Sequence, residues 1–138
     1  MPSTAWRSGP LTRLLRPALA AVLAAGIAAA AMAQATIVDV VLPDLSPLAR
    51  EGQVLFGTDC SGCHGENGSG SEKGPPLIHP IYEPSHHADM AFVMAIRNGT
   101  RAHHWPFGDM PPVEGLNPSQ IQAIITFVRE VQVANGIE

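Results

Sequence analysis

Residues 60–64 read Cys60-Ser61-Gly62-Cys63-His64, and the rest of the chain is best read outward from this stretch. The pattern C-x-x-C-H is the c-type haem attachment signal. Two thiols three positions apart fall on one face of a helical turn. Their separation matches that of the two vinyl groups of a haem, to which they add as thioethers. The histidine follows directly and turns its imidazole toward the iron. Neutral imidazole is a strong iron ligand, and the sulfur bridges set its distance. The competing reading is a thiol–disulfide redox site, which needs a preceding strand and a βαβ frame that the flanking residues do not supply. Both cysteines of the chain lie in this stretch, so neither a disulfide scaffold nor a second zinc-ligand pair can be built.

On the N-terminal side, Ser46-Pro47 reads as an N-cap with proline at the first helical position. A helix then runs to about Gly57, with Leu48, Val54, Leu55 and Phe56 as its apolar residues. Gly52 sits on the same face as Phe56. An interior glycine costs about 1 kcal/mol against alanine, and close approach of another helix is the expected compensation. On the C-terminal side, Asp59 to Pro84 is rich in Gly and Pro, and neither a long helix nor a packed sheet fits there. Ser85 is expected to cap a helix from about His86 to Arg97, with Met90, Val93, Met94 and Arg97 on one side. Asn98-Gly99 stops it. Thr100 to Gly115 is a further loop. Asn117-Pro118 opens a last helix to about Val133, striped by Ile121, Ile124, Ile125, Val128 and Val131 with Phe127 beside them. The fold class is therefore all-α, with three main helices joined by long loops. Such loops need something to order them, and one covalently attached haem, around which they wrap, would do so.

Composition supports the same reading. The 138 residues make one domain. Eight Lys and Arg face twelve Asp and Glu, with no basic run after residue 16, which argues against a nucleic-acid partner. Residues 1–33 read as an export signal: Arg7, Arg13 and Arg16, an apolar run from Ala18 to Ala33, and an A-x-A ending at Ala31-Met32-Ala33. That run is short for a bilayer span of about 20 residues. Cleavage after Ala33 leaves a periplasmic chain with no membrane span, carrying five basic against twelve acidic residues, a formal −7. Residues 34–46 form an N-terminal arm, in which Thr36–Leu42 suits a short strand or an extended segment. Residues 47–138 form the haem domain. Large side chains are few in the mature chain, and a thin core of this kind usually recruits a cofactor, a metal or disulfides.

From about Pro47 to Val133 the sequence resembles the class I c-type cytochromes, of the small bacterial monohaem kind. The matching features are the helix with Gly52 and Phe56, the Cys60–His64 motif, Gly74-Pro75-Pro76-Leu77, a middle helix ending Arg97-Asn98-Gly99, Met110-Pro111, and a last helix with Phe127. The resemblance implies that the first and last helices cross at Gly52. It implies that the Pro75 carbonyl accepts the second ring N–H of His64. It also implies a sixth iron ligand from a loop methionine. Met90 and Met94 stand at helical spacing and read as core packing. Met110 lies in a proline-bracketed loop 46 residues after His64 and is the expected ligand, with His103 and His104 as competitors.

His86, His87, His103 and His104 make two adjacent pairs. They read as solvated loop histidines, and as a metal site only if the loops meet. Tyr82, Arg97 and Trp105 are candidate partners of the haem propionates. The function expected from these readings is one-electron transfer by a single haem c with His/Met ligation. The carrier would run between a donor dehydrogenase or reductase and an acceptor oxidase, as a monomer or weak associate, and would not be an enzyme itself. The alternative is a haem-bearing electron-transfer subunit of a periplasmic oxidoreductase complex.

Overall fold

The computed structural model describes residues 37–138; the expected leader at 1–33 and the first residues of the arm lie outside them. Among the described residues four α-helices follow one another: α1 (Pro47–Asp59), α2 (Ser61–His64), α3 (Asp89–Asn98) and α4 (Pro118–Ala134). Short 3₁₀ turns lie at Glu66–Gly68 and Pro80–Tyr82. Among the described residues there is no strand; Thr100 and Met110 make an isolated antiparallel bridge. The all-α class read from the sequence holds.

Helix α1 starts as its sequence dictates. Ser46 Oγ accepts from the Ala49 amide at 3.2 Å, and Pro47 fills the first turn. The Ser46 amide itself donates to Glu130 Oε2 of α4 at 2.9 Å, tying the start of α1 to the last helix. At its other end α1 runs almost unbroken into α2: the Cys60 amide donates to the Phe56 carbonyl at 2.9 Å, and the His64 amide to the Cys60 carbonyl at 2.9 Å. The 60–64 stretch is therefore a helical turn.

The buried face of α1 differs from the expected one. Ala49, Gly52 and Phe56 are buried, whereas Leu48 and Val54 are 42 % and 71 % exposed. Gly52 decides this. A Cβ built there would lie 1.9 Å from the Ala123 carbonyl oxygen of α4, so the glycine stripe must be the one that meets α4. Phe56 then reaches Phe127, with ring centroids 5.4 Å apart and planes at 56°. Helix α4 supplies most of the core: Ile121, Ile124, Ile125, Phe127, Val128 and Val131 are all buried. Its start carries a full capping box. Asn117 Oδ1 accepts from the Gln120 amide at 3.0 Å, and Gln120 Oε1 accepts from the Asn117 amide at 2.9 Å.

Helix α3 begins three residues later than the sequence suggested. Ser85 does not cap it; its hydroxyl donates to Glu83 Oε1 at 2.8 Å. The His86 and His87 amides both donate to the Glu83 carbonyl, at 3.1 and 2.8 Å, and the His87 carbonyl is taken by Arg129 of α4. Residues 83–87 thus close a separate turn, steadied by Arg129, and the extended backbone at Ala88 (φ −58°, ψ 162°) lets the helix start only at Asp89. Nor are Met90 and Met94 core residues, being 65 % and 52 % exposed; Ile96 is the buried side chain of α3.

Residues 37–46 are extended but form no ladder. The Val38 amide donates to the Ser69 carbonyl at 2.8 Å. Val41 and Asn135 exchange two bonds, at 2.9 and 2.8 Å. With Leu45 buried in the core, this segment lies along the body of the domain.

Candidate functional site

A cavity of about 440 Å³ opens between the end of α1, helix α3, the 100–110 loop and α4. Its wall is mainly apolar, built by Phe56, Leu77, Phe92, Ile96, Ile124 and Val128. Four of the five expected site residues, Cys60, His64, Pro75 and Met110, line it. Cys63, the fifth, does not; it is exposed, one helical turn from Cys60.

His64 Nδ1 lies 2.9 Å from the Pro75 carbonyl oxygen. A carbonyl only accepts, so Nδ1 carries the proton and Nε2 keeps its lone pair. Burial holds the His64 imidazole below its ordinary basicity, opposed by the Pro75 bond, and keeps it in the neutral form that binds a metal. The 66–76 loop sets this contact. The Gly70 amide donates to the His64 carbonyl at 2.6 Å, and Ser71 Oγ donates to the Cys63 carbonyl at 2.5 Å. Gly74 lies against Cys63 so closely that a Cβ there would stand 2.8 Å from the Cys63 carbonyl oxygen. The loop is folded back on the motif, and this brings the Pro75 carbonyl to the ring.

Met110 is held by its backbone. The Thr100 amide donates to the Met110 carbonyl at 3.0 Å, and the Met110 amide to the Thr100 carbonyl at 2.9 Å. Three residues on, the Val113 amide donates to the Ile96 carbonyl at 2.8 Å. Gly99 makes the approach possible: its φ is +71°, and a Cβ would lie 2.4 Å from the Met110 carbonyl oxygen. Met94, His103 and His104 also border the cavity, but this pinned backbone belongs to Met110.

Of the three candidate propionate partners, Tyr82 and Trp105 line the cavity and Arg97 does not. Arg97 lies on the exposed side of α3, and Arg101 is the arginine at the wall. The indole Nε1–H of Trp105 is buried without a partner of hydrogen-bond geometry, although the Tyr82 phenol is close enough to feel it.

Two positioning residues were not legible in the sequence. Arg129 donates to the Tyr82 carbonyl at 2.7 Å, to Asp89 Oδ1 at 2.8 Å and to the His87 carbonyl. The fully buried Gln132 donates to the Leu77 carbonyl at 2.8 Å and to the Tyr82 carbonyl at 3.1 Å. Together they pin the 77–89 segment to α4. Their one sequence signal is two polar residues, three apart, flanking the apolar stripe of α4, which reads equally well as a solvated face.

The donor set fits a haem. The wall is apolar, as a porphyrin face requires. A thiol and an imidazole stand one helical turn apart at one side, and a thioether and an unpaired indole N–H come from another loop. The thiol chemistry is wrong for the redox alternative: burial first, then Asp59 and Cys63, push the Cys60 thiol up to about 12, opposite to what a reactive C-x-x-C needs. Comparison with curated proteins finds no match. The family described as Cytochrome c, whose members carry haem for electron transfer and are usually exported, matches residues 49–132. With the fold, the motif turn and the cavity all in register with that match, the chain belongs to the cytochrome c family.

Proposed function

We propose that this chain is a periplasmic one-electron carrier with a single haem c, joined through Cys60 and Cys63 and ligated by His64 and Met110. The observation that carries the reading is the His64–Pro75 contact of 2.9 Å at the wall of the cavity, which leaves Nε2 as the free donor. Bound there, haem c supplies an Fe(III)/Fe(II) couple. The chain does the rest. Cys60 and Cys63 anchor, Pro75 fixes the imidazole tautomer and orientation, and Phe56, Ile96 and Val128 exclude water. Trp105 and Tyr82 offer donors to carboxylates at the edge. A thioether from Met110 together with the His64 imidazole would raise the reduction potential relative to two nitrogen ligands. With His64 and Met110 both committed to the iron, no ligand position would be left for a substrate, which favours a carrier over an enzyme.

Residues 37–138 hold five Lys and Arg and twelve Asp and Glu. Steering then favours redox partners that present positive charge, in small, short-lived encounters. Export relies on the leader at residues 1–33; among the described residues no helix is long and apolar enough to cross a membrane.

The test is the optical spectrum of exported protein. Haem that resists acid–acetone extraction, a weak long-wavelength sulfur-to-iron band in the oxidised state, and no carbon monoxide binding by the native reduced state are expected. Colourless exported protein overturns the reading, and ready carbon monoxide binding replaces it with an open-site sensor or enzyme.

A further inference from the structure

Two loops that are separate in sequence each bring an adjacent histidine pair to one rim of the cavity. The rings of His86 and His87 are 4.7 Å apart between centroids, those of His86 and His104 5.4 Å, and those of His87 and His104 5.1 Å. His103 stacks on His87 at 6.0 Å and packs against His104 at 4.2 Å. One ring nitrogen from each of His86, His87 and His104 can be chosen so that all three lie within 4.8 Å of one another. The condition set by the sequence, that the loops meet, is therefore satisfied. His86 and His87, although adjacent in sequence, converge with His104, their ring planes standing at 73° to each other.

We infer that His86, His87 and His104 form a binding site for one divalent first-row transition ion of the zinc–copper class. Three imidazoles suit those ions and leave a fourth position open. At a metal–nitrogen distance of about 2.1 Å, tetrahedral ligands stand roughly 3.4 Å apart. Small side-chain rotations of the exposed His86 and His104 supply the contraction. The tautomers are already set for two of the four rings. His87 Nδ1 lies 2.6 Å from the Ile81 carbonyl and His103 Nδ1 lies 2.7 Å from the Arg101 carbonyl. Both therefore donate Nδ1–H; for His87 this leaves Nε2 as the ligand atom, the outer-shell arrangement that metal-binding histidines use. His87 is also positioned from behind, since Arg129 of α4 donates to its carbonyl.

The test is calorimetric titration of purified, chelator-treated, haem-loaded protein with zinc chloride, followed by zinc-edge X-ray absorption of the complex. One zinc per chain is expected, with nitrogen scatterers at about 2.0–2.1 Å and the outer-shell pattern of imidazole. His86→Gln and His104→Gln, both at exposed positions, should each weaken binding tenfold or more. His87→Ala should do the same with unchanged circular dichroism. His79→Gln, outside the cluster, should stay within twofold of the parent. An all-oxygen shell, or an affinity that survives both His86→Gln and His104→Gln, overturns the inference.

Discussion

Single side chains set the chemistry. Met110 and Met94 both border the cavity, and substitution separates them. Met110→Ala is expected to abolish the sulfur-to-iron band and lower the reduction potential, whereas Met94→Ala keeps both; spectroelectrochemistry of the two proteins reads this directly. Gly99 is the second critical position. Its φ of +71° and the 2.4 Å approach of the Met110 carbonyl leave no room for a side chain. Gly99→Ala should therefore displace the 100–110 loop, weaken the sulfur-to-iron band and cost about 1–3 kcal/mol from strain and overpacking. An unchanged band would show that the thioether does not depend on this contact. The residue scale also separates what could be read early from what could not. Cys60, Cys63 and His64 are a local pattern whose spacing is its own evidence. Arg97 and Arg101 are both arginines near the end of α3, and only the direction of the chain after Gly99 puts Arg101 at the wall.

At the scale of elements, α1 carries a paired experiment. Gly52 and Gly57 lie in the same helix, five residues apart. A Cβ at Gly52 meets the Ala123 carbonyl oxygen at 1.9 Å, and one at Gly57 meets nothing within 4 Å. Gly52→Ala should force α1 and α4 apart and cost about 1–3 kcal/mol, a fall of very roughly 4–20 °C in Tm for a domain of this size. Gly57→Ala should stabilise by about 0.5–1 kcal/mol, the ordinary helix-propensity gain. Thermal melts of both, followed by circular dichroism, check the opposite signs. Helix α4 acts as the jig for the 77–89 segment. Arg129→Met removes its bonds to the Tyr82 and His87 carbonyls and to Asp89, and should cost about 2–3 kcal/mol by leaving part-buried carbonyls unpaired. Asp89→Asn removes only an ion pair whose carboxylate is 59 % exposed, worth less than about 1 kcal/mol. If both cost the same in urea titration, the charge pair rather than the carbonyl bonds holds the segment. The three long helices were legible because capping residues and apolar periodicity are local. The start of α3 was not, because Ser85 is taken into a separate turn at 83–87 that Arg129 of another helix steadies at the His87 carbonyl.

For the whole molecule, the balance of core and cavity governs stability. The core is largely one face of α4 against a short face of α1, and the cavity beside it is lined by core residues such as Phe56, Ile96, Ile124 and Val128. Filling that cavity completes the core. Cys60→Ala combined with Cys63→Ala is expected to give chain without covalent haem and with most of its far-UV circular dichroism lost; a native-like spectrum would show that the helices stand without the group. The acidic excess belongs to this scale too. Reaction with a positively charged redox partner should slow steeply as ionic strength rises past about 0.1 M, where charges beyond roughly 10 Å are screened. Stopped-flow rates across a salt series check it, and a flat profile would point to an uncharged contact. The amino-acid order alone determined the attachment turn, the capped helices and the need for a close approach at Gly52, because each depends on residues within one or two turns. Only the tertiary structure decided which face of α1 is inside, where the Pro75 carbonyl and the Met110 backbone come to rest, and that four histidines from two loops share one rim. Those are contacts between segments far apart in the chain, and no local pattern encodes the path that brings them together.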